Sequence, residues 1–183
     1  MEKRFHPWRE KVWQFAYGPR VLEVGVGTGK NVEFWPKDTR VTAIDLTPGM
    51  LEIARQRVRC SQRKGDELFL ADVQHLELPS ANFNTAVATF VFCSVPDPIQ
   101  GLRELGRVVR PDGFILLLEH VRIDHPIIGP LMDLVSPLVA RLNGASINRR
   151  TVDNVRAAGL RIDHVLDLDR MGMFKLIMAR PSA

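Results

Sequence analysis

Short runs of apolar residues alternate along the chain with segments in which apolar residues recur at helical spacing. The apolar runs predict strands at residues 21–24, 41–44, 68–71, 85–91 and 114–121. The patterns between and after them predict helices at residues 30–35, 48–61, 97–109 and 151–158. Strands that alternate with helices are typical of βαβ units, in which helices packed on the sheet join parallel strands.

Local signals mark several of the predicted helix ends. Pro48 suits the first turn of a helix, and the sequence R-P-D-G closes the third predicted helix as a turn. Thr151 suits an N-cap position, and Gly159 suits a helix stop. Two final apolar runs, residues 161–166 and 175–179, are close enough along the chain to pair as a hairpin at one edge of the sheet.

These elements predict one α/β fold. Right-handed crossovers give a Rossmann-like, doubly wound and mostly parallel seven-stranded sheet, with helices on both faces and the last strand antiparallel. The length of 183 residues predicts a single domain, residues 1–183, in which residues 126–147 form a substrate-side lid or insertion. Ligands of such sheets bind at the carboxyl ends of the strands.

Composition narrows the setting only modestly. The chain is 45% hydrophobic and 25% charged, as in ordinary soluble proteins, and Cys60 and Cys93 form no C-x-x-C pair. We therefore expect a reducing, cytoplasmic setting, and leave open a peripheral contact with a membrane. The net charge of +4 comes with no RNA-binding signature and no zinc-ligand spacing, so neither nucleic acid nor a metal is expected. The oligomeric state stays open.

Acidic residues stand where three successive predicted strands end. Glu23 opens the glycine-rich sequence E-V-G-V-G-T-G, Asp45 follows the second strand, and Asp72 follows the third. Carboxyl ends of neighbouring parallel strands meet at the same edge of a sheet, so three hydrogen-bond acceptors would line one crevice. S-adenosylmethionine offers donors that match them: an ammonium, a ribose diol and an adenine amine.

Each group of that cofactor has a predicted partner. Glu23 would receive the ammonium directly or through water, Asp45 both ribose hydroxyls, and Asp72 the adenine amine. Leu46, Met50 and Val73 would enclose the adenine ring with apolar surface.

The glycine loop and the helix predicted after it would each contact the ligand. Gly25, Gly27 and Gly29 would let the backbone approach the ligand closely. The N-terminus of the helix at residues 30–35 would attract the carboxylate of the cofactor.

Two other interpretations remain at this point. A nicotinamide dinucleotide also uses a glycine turn and a ribose acid at this distance, but G-x-G-x-x-G is broken here by Lys30. A noncatalytic protein that binds the cofactor, or a scaffold, would carry the same residues.

Four motifs occur in order over residues 21–121: V-L-E-V-G-V-G-T-G-K-N, V-T-A-I-D-L-T-P-G-M-L, A-D-V-Q-H-L-E-L-P and L-R-E-L-G-R-V-V-R-P-D-G. They resemble class I S-adenosylmethionine-dependent methyltransferases, and within them the small-molecule branch that includes ubiquinone/menaquinone-biosynthesis and bacterial phosphatidylethanolamine methyltransferases. The run V-F-C-S-V-P-D-P resembles methyltransferase-like proteins linked to alkyl thiol methylation.

The resemblance implies cofactor contacts at several of the residues already named and at Thr89 and Phe90, after the fourth strand. Relatives usually carry a longer N-terminal segment that folds over the cofactor. Here a short helix around Trp8 and Trp13 would either form that cover or pack on the sheet edge.

The acceptor is predicted from the chemistry around the fourth and fifth strands. Residues 90–96 are apolar apart from a thiol and a hydroxyl, which suits a small amphiphilic or lipid acceptor. His120 could take a proton from it near neutral pH or only bond the backbone, and Glu119 could orient His120 or attract an ammonium. Phospholipid ethanolamine nitrogen is the leading acceptor, with an alkyl thiol or a quinone precursor as alternatives.

The predicted lid carries apolar residues at helical spacing, interrupted by Pro130 and Pro137. These residues are Ile127, Leu131, Leu134, Val135, Leu138 and Leu142. Such a segment either packs over its own site or rests on a bilayer and admits a lipid-like acceptor.

Overall fold

The computed structural model describes residues 2–143 and 146–182. Its strands are β1 Arg20–Val24, β2 Arg40–Asp45, β3 Glu67–Leu70, β4 Phe83–Thr89, β5 Val109–His120, β6 Leu160–Asp167 and β7 Phe174–Pro181. Its helices are α1 Glu2–Gln14, α2 Pro48–Cys60, α3 Pro98–Val108, α4 Ile128–Asn143 and α5 Thr151–Ala157. Residues 144–145 of the predicted lid and the side chain of Leu142 lie outside the described residues.

All seven strands form one sheet in the order β3-β2-β1-β4-β5-β7-β6. Strands β1 to β5 pair in parallel with one another, and β7 is antiparallel to both β5 and β6. The predicted hairpin therefore closes the sheet, with β7 inserted beside β5 and β6 at the edge. The predicted fold, Rossmann-like and mostly parallel with an antiparallel last strand, is confirmed.

The core lies in two layers, one on each face of the sheet. On one face Leu117 of β5 packs with Phe92 and with Leu102 and Leu105 of α3. On the other face Leu116 and Leu118 pack with Val12 and Trp13 of α1 and with Leu51 of α2. Successive residues of a strand point to opposite faces, so a run of leucines in β5 supplies both layers.

The helix predicted at residues 30–35 is wrong. The structure has a single 3₁₀ turn there, Val32–Phe34, and Trp35 already has extended backbone with ψ of 127°. Pro36 follows, and a residue before proline is disfavoured in the helical region. Six residues between the glycine loop and a proline leave no room for a regular α-helix.

Two predicted helix boundaries are also corrected. R-P-D-G was expected as a turn, but β5 already begins at Val109, which pairs with Phe83, and the ladder resumes where Phe114 pairs with Thr85. The turn residues thus form an irregularity inside the strand.

The N-cap of α5 is Arg150, and Thr151 is its first helical residue. The Thr151 side chain is fully buried, and its hydroxyl has no hydrogen-bond partner among the described residues, so it does not cap the helix.

Candidate functional site

A cavity of about 630 Å³ opens at the carboxyl ends of the parallel strands. Its wall consists of the glycine loop at residues 24–28, the end of β2 at residues 44–47, the segment 71–74 and the segments 89–91 and 94–96, together with Arg9, Lys30 and Met50. The cavity therefore lies where a doubly wound sheet offers a ligand crevice.

Most of the predicted cofactor residues line this cavity. They are Gly25, Gly27, Asp45, Leu46, Met50, Asp72, Val73, Thr89 and Phe90. Glu23, Gly29, Glu119 and His120 do not line it. Gly29 instead packs the glycine loop against α2, since a Cβ there would lie 3.0 Å from the backbone of Ala54.

The glycine loop needs its glycines for two different reasons. Gly25 has φ of +65°, and a Cβ there would lie 2.4 Å from the side chain of Val91, so the β1 and β4 ends can approach only without it. Gly27 has φ of +55° and a Cβ there would meet no atom within 4 Å. Because Gly27 lines the cavity, that Cβ would occupy space open to a ligand.

Asp45 at the end of β2 fastens the glycine loop to the next strand. Its Oδ2 accepts from the N–H of Gly27 and its Oδ1 from the N–H of Thr47, each at 2.8 Å. A carboxylate oxygen has two lone pairs, so each oxygen can accept one further bond on the cavity side. Asp45 therefore holds the loop in place and keeps acceptor capacity toward the cavity, as binding of a diol would require.

The adenine end predicted from sequence combines one acceptor with apolar surface. Asp72 accepts from the backbone and side-chain nitrogens of Gln74, at 2.9 Å and 3.0 Å, and both residues line the cavity. Leu46 is 63% exposed and Met50 is 46% exposed, so together they present apolar surface at this end of the cavity. A flat ring placed between Leu46, Met50 and Val73 would cover it.

Glu23 lies beneath the cavity. It is fully buried, and its Oε1 accepts from Asn31 Nδ2 at 2.6 Å while its Oε2 accepts from Trp35 Nε1 at 2.5 Å. Burial raises its pKa to about 7, against the effect of these hydrogen bonds and of the Arg9 charge. Because Glu23 is fully buried and does not line the cavity, the structure does not bring it directly to a ligand.

Arg9 of α1 lines the cavity, whereas Glu23 does not. Its Nη1 donates to Asn31 Oδ1 at 2.8 Å and to Thr89 Oγ1 at 3.0 Å, and its guanidinium lies 5.4 Å from the centre of the Phe90 ring. Phe90 has φ of +59°, a strained conformation for an aromatic residue, and its N–H donates to Leu118. The N-terminal helix thus forms part of the cavity wall.

Aromatic rings cover this end of the sheet. Phe5 lies 5.0 Å from Phe90, and Trp8 lies 5.0 Å from Phe174. His120 packs edge-on against Phe174, and burial lowers its pKa while Asp169 opposes that shift. The imidazole is neutral at pH 7 and can accept a proton, although its ring is held by the aromatic cluster and lies outside the cavity wall.

Glu119 holds the loop after β4. Its Oε1 accepts from the N–H groups of Val91, at 2.9 Å, and Phe92, at 3.1 Å, while its buried Oε2 has no partner among the described residues. Burial raises its pKa to about 8. Glu119 and His120 are adjacent in a strand and point to opposite faces of the sheet, so Glu119 does not orient His120.

The predicted acceptor side is apolar and adjoins the segment that follows α4. Val91, Val95 and Pro96 line the cavity together with Ser94. Arg149 donates to the carbonyl of Val95 at 2.8 Å, so the chain after α4 supports this wall. Burial and the neighbouring Glu119 raise the pKa of Cys93 to about 12, which leaves its thiol protonated.

Helix α4, which lies in the predicted lid segment, is one continuous helix with Pro137 inside it. Met132 and Ser136 are buried, and Arg122 pairs with Asp133 at 2.9 Å, which fastens one face to the body. The other face exposes Ile127 (73%), Leu131 (56%), Leu134 (77%), Val135 (39%) and Leu138 (62%).

Further properties limit the chemistry. Among residues 2–143 and 146–182, no group of three or more His, Cys, Asp or Glu side chains is placed to hold a metal ion. No helix in this described part of the chain is long and apolar enough to cross a membrane.

Sequence reasoning missed Arg9, Asn31 and Trp35. Asn31 and Trp35 lie 8 and 12 residues after Glu23, a spacing from which no regular element predicts contact. Arg9 meets Thr89 across 80 residues of chain. The only signal in the sequence was the presence of polar and indole donors close to a buried acid.

The chain is similar in sequence to known methyltransferases. The chain is 38% identical over 117 residues to a phosphatidylethanolamine N-methyltransferase of Cereibacter sphaeroides, covering 63% of this chain and 56% of that protein. It is 32% identical over 103 residues to the thiol S-methyltransferase TMT1B of Mus musculus, covering 55% and 42%. The chain therefore spans about half the length of these curated relatives.

The fold also matches solved structures. An S-adenosylmethionine-dependent methyltransferase of Mesorhizobium loti superimposes with a TM-score of 0.74 at 21% identity, covering 97% of both chains. The profile of the methyltransferase domain family matches residues 22–117, which contain the glycine loop, Asp45, Asp72 and most of the cavity wall. The resemblance seen in the sequence motifs is thus confirmed, and the chain belongs to the class I methyltransferase domain family.

Proposed function

We propose that this protein transfers a methyl group from S-adenosylmethionine to a small amphiphilic acceptor. The observation that carries the proposal is the placement of Asp45 and Asp72 at neighbouring strand ends, in one cavity with Gly25 and Gly27. The matched family and the S-adenosylmethionine-dependent enzyme of the same fold support this choice of cofactor. We also propose that residues 1–183 act as one domain, with 126–147 as its substrate-side lid.

The residues present fit that cofactor. Asp45 would accept from the ribose diol, because both oxygens are already oriented by backbone N–H groups. Asp72 would accept from the adenine amine, beside the apolar surface of Leu46 and Met50. The space that a Cβ on Gly27 would fill leaves room for the ligand against the loop backbone.

When bound, the cofactor supplies an electrophilic methyl group that the acceptor atom takes up in one in-line displacement, leaving S-adenosylhomocysteine. The protein's task is then to align the acceptor and exclude water. The cavity wall at residues 91 and 94–96, together with the aromatic cluster around Phe174, would do both. An ethanolamine acceptor must first lose a proton, and His120, neutral at pH 7, is the proposed base.

The acceptor is proposed to be a phospholipid ethanolamine nitrogen. The Cereibacter sphaeroides relative is named for that substrate, and the exposed apolar face of α4 would rest peripherally on a lipid surface. An alkyl thiol is the second candidate, because TMT1B is named a thiol methyltransferase and the cavity wall at residues 91 and 94–96 holds no charged group.

Methyl-labelled S-adenosylmethionine tests the proposal in two parallel reactions, one with ethanolamine-lipid vesicles and one with a small alkyl thiol. Lipid-soluble label only in the vesicle reaction supports the phospholipid acceptor. Label on the thiol alone overturns it in favour of thiol methylation. A protein that binds the cofactor but transfers label to neither acceptor, nor to a quinone precursor in a third reaction, would be a noncatalytic binding protein.

His120 has its own test. The variant His120→Ala should lower turnover more than it lowers cofactor affinity, measured by initial rates and by calorimetry on the same preparation. Unchanged turnover would remove His120 as a base and leave it as a member of the aromatic cluster.

A further inference from the structure

The amino-acid end of the proposed cofactor carries a carboxylate, and a carboxylate in a partly buried crevice needs a positive partner. The sequence predicted a helix N-terminus for this purpose. The structure instead has only the three-residue 3₁₀ turn Val32–Phe34 after the glycine loop. The helix macrodipole arises from many aligned peptide units, so one short turn supplies little positive potential.

A guanidinium stands at the same place. Arg9 lines the cavity beside the glycine loop, and its Nη1 is oriented by Asn31 Oδ1 at 2.8 Å and by Thr89 Oγ1 at 3.0 Å. The face of the guanidinium lies over Phe90, at 5.4 Å from the ring centre. Two hydrogen bonds and a ring thus fix the position of a charge that comes from an N-terminal helix.

We propose that Arg9 binds the carboxylate of the cofactor's amino-acid moiety, in place of a helix N-terminus. This inference rests on the proposed function and deepens it. A planar guanidinium presents five N–H donors in a fixed fork that matches a carboxylate, so it binds in a defined orientation. Helix α1 is then a part of the binding site, and its sequence position outside the matched family segment, residues 22–117, explains why no motif contains it.

The same arrangement gives Asn31 a double role. Its amide nitrogen donates to Glu23 and its amide oxygen accepts from Arg9, so the amide connects the buried carboxyl to the arginine. The Arg9 charge lowers the pKa of Glu23 against the effect of burial. Glu23 thus acts on the cofactor through the position of Arg9, and Arg9 makes the contact.

Two ligands allow the contribution of the Arg9 charge to binding to be measured separately from that of the rest of the site. S-adenosylhomocysteine carries the amino-acid moiety, whereas 5′-methylthioadenosine has the same nucleoside and thioether without it. The variant Arg9→Met keeps an apolar stem against Phe90 and removes the charge. We expect calorimetry to show S-adenosylhomocysteine binding weakened about tenfold or more, and 5′-methylthioadenosine binding changed by less than about twofold.

The chain offers a matched control on the same helix. Arg4 lies over the rings of Trp8 and Phe174, at 5.5 Å and 5.6 Å, and does not line the cavity. Arg4→Met should leave the affinity for both ligands unchanged. Lys30 also lines the cavity and is the rival cation, so a loss seen with Lys30→Met and not with Arg9→Met would overturn the proposal.

A measurement on the native protein covers the case in which Arg9→Met fails to fold. Arginines are labelled with phenylglyoxal in the presence of either ligand, and the modified peptides are quantified by mass spectrometry. We expect S-adenosylhomocysteine to protect Arg9 and 5′-methylthioadenosine not to protect it. Equal protection by both ligands, or by neither, overturns the assignment.

Failure of this inference differs from failure of the proposed function. Wild-type protein that binds neither ligand would contradict the proposed function itself. If Arg9→Met binds S-adenosylhomocysteine as tightly as the wild-type protein does, the proposed function stands and only Arg9 is removed from the site.

Discussion

Two fully buried glutamates lie behind the cavity wall, one behind the proposed cofactor side and one behind the proposed acceptor side, and the two are held differently. On the cofactor side, Glu23 at β1 has both oxygens on side-chain donors, Asn31 and Trp35. On the acceptor side, Glu119 at β5 has one oxygen on two backbone N–H groups, and the other has no partner among the described residues. Burial raises the pKa of both carboxyl groups.

This difference extends to the surfaces around them. The cofactor side is closed by polar contacts that fix its geometry before any ligand arrives, as in the clasp between Asp45 and Gly27. The acceptor side combines an apolar wall with α4, whose outer face leaves Leu134 77% exposed. A constant cofactor suits a fixed polar site, whereas the proposed acceptor side leaves apolar side chains exposed that a substrate or a surface can cover.

The largest expected effect is a fall in stability with pH. Burial raises the pKa values of Glu23 and Glu119 to about 7 and about 8, well above the ordinary value of 4.5, so the folded state holds protons that the unfolded state has released. The free energy of unfolding should therefore fall by about 2 kcal/mol between pH 6.5 and 8. The lowered pKa of His120 opposes this fall by less than about 0.5 kcal/mol, because an unfolded histidine is still partly protonated just above pH 6.5. Urea titrations at a series of pH values measure the change, and a flat profile would contradict the burial of both groups.

Two matched variants sharpen the comparison. Glu23→Gln replaces one of two acceptor oxygens by a donor that faces Asn31 or Trp35, and should cost about 1.5 kcal/mol of stability. Glu119→Gln keeps one oxygen for Val91 and Phe92 and should cost less than about 0.5 kcal/mol at pH 7. It should also remove most of the fall in stability between pH 6.5 and 8. Equal costs for the two variants, measured by urea unfolding, would show that the two sites are not different.

Asp45→Ala tests the cofactor side through binding. The variant removes the proposed ribose acceptor and the clasp on Gly27, and should weaken S-adenosylmethionine binding at least tenfold, or about 1.4 kcal/mol. Calorimetry on the folded variant measures the affinity, with circular dichroism as the check on folding. An unchanged affinity would contradict the assignment of Asp45.

The smallest stability effect is expected on the outer face of α4. Leu134→Ser should change the free energy of unfolding by less than about 0.5 kcal/mol, because the side chain is 77% exposed. It should weaken sedimentation with ethanolamine-lipid vesicles about threefold, since it removes apolar area from the proposed contact. Leu166→Ser on β6, where the leucine is 42% exposed, is the control and should leave vesicle binding unchanged. Equal loss in both variants would contradict a contact specific to α4.

Much of the fold followed from local pattern. Apolar runs of four to eight residues bounded by turns marked the strands, and the hydrophobic spacing around Leu51 and Leu102 marked α2 and α3. The strand ends then placed Asp45 and Asp72 in the cavity wall. These predictions succeed because period and chain order alone fix which ends of parallel strands meet.

The errors have two physical causes, the short distance from the glycine loop to Pro36 in the first case and burial of a side chain in the second. The helix expected at residues 30–35 gave way to a 3₁₀ turn before Pro36, and Thr151 became a buried first residue of α5 instead of its cap. Local propensity amounts to a few tenths of a kcal/mol per residue, and a well-packed side chain outweighs it by several-fold.

By itself the sequence determined the sheet, the family and the acidic strand ends, because these depend on hydrophobic period and on motifs that are contiguous in the chain. Only the tertiary structure decided which groups face the cavity. It turned Glu23 onto Asn31 and Trp35, brought Arg9 to Thr89, and separated Glu119 from His120 across the sheet. Contacts between residues far apart in the chain depend on how whole elements pack, and no local pattern encodes that packing.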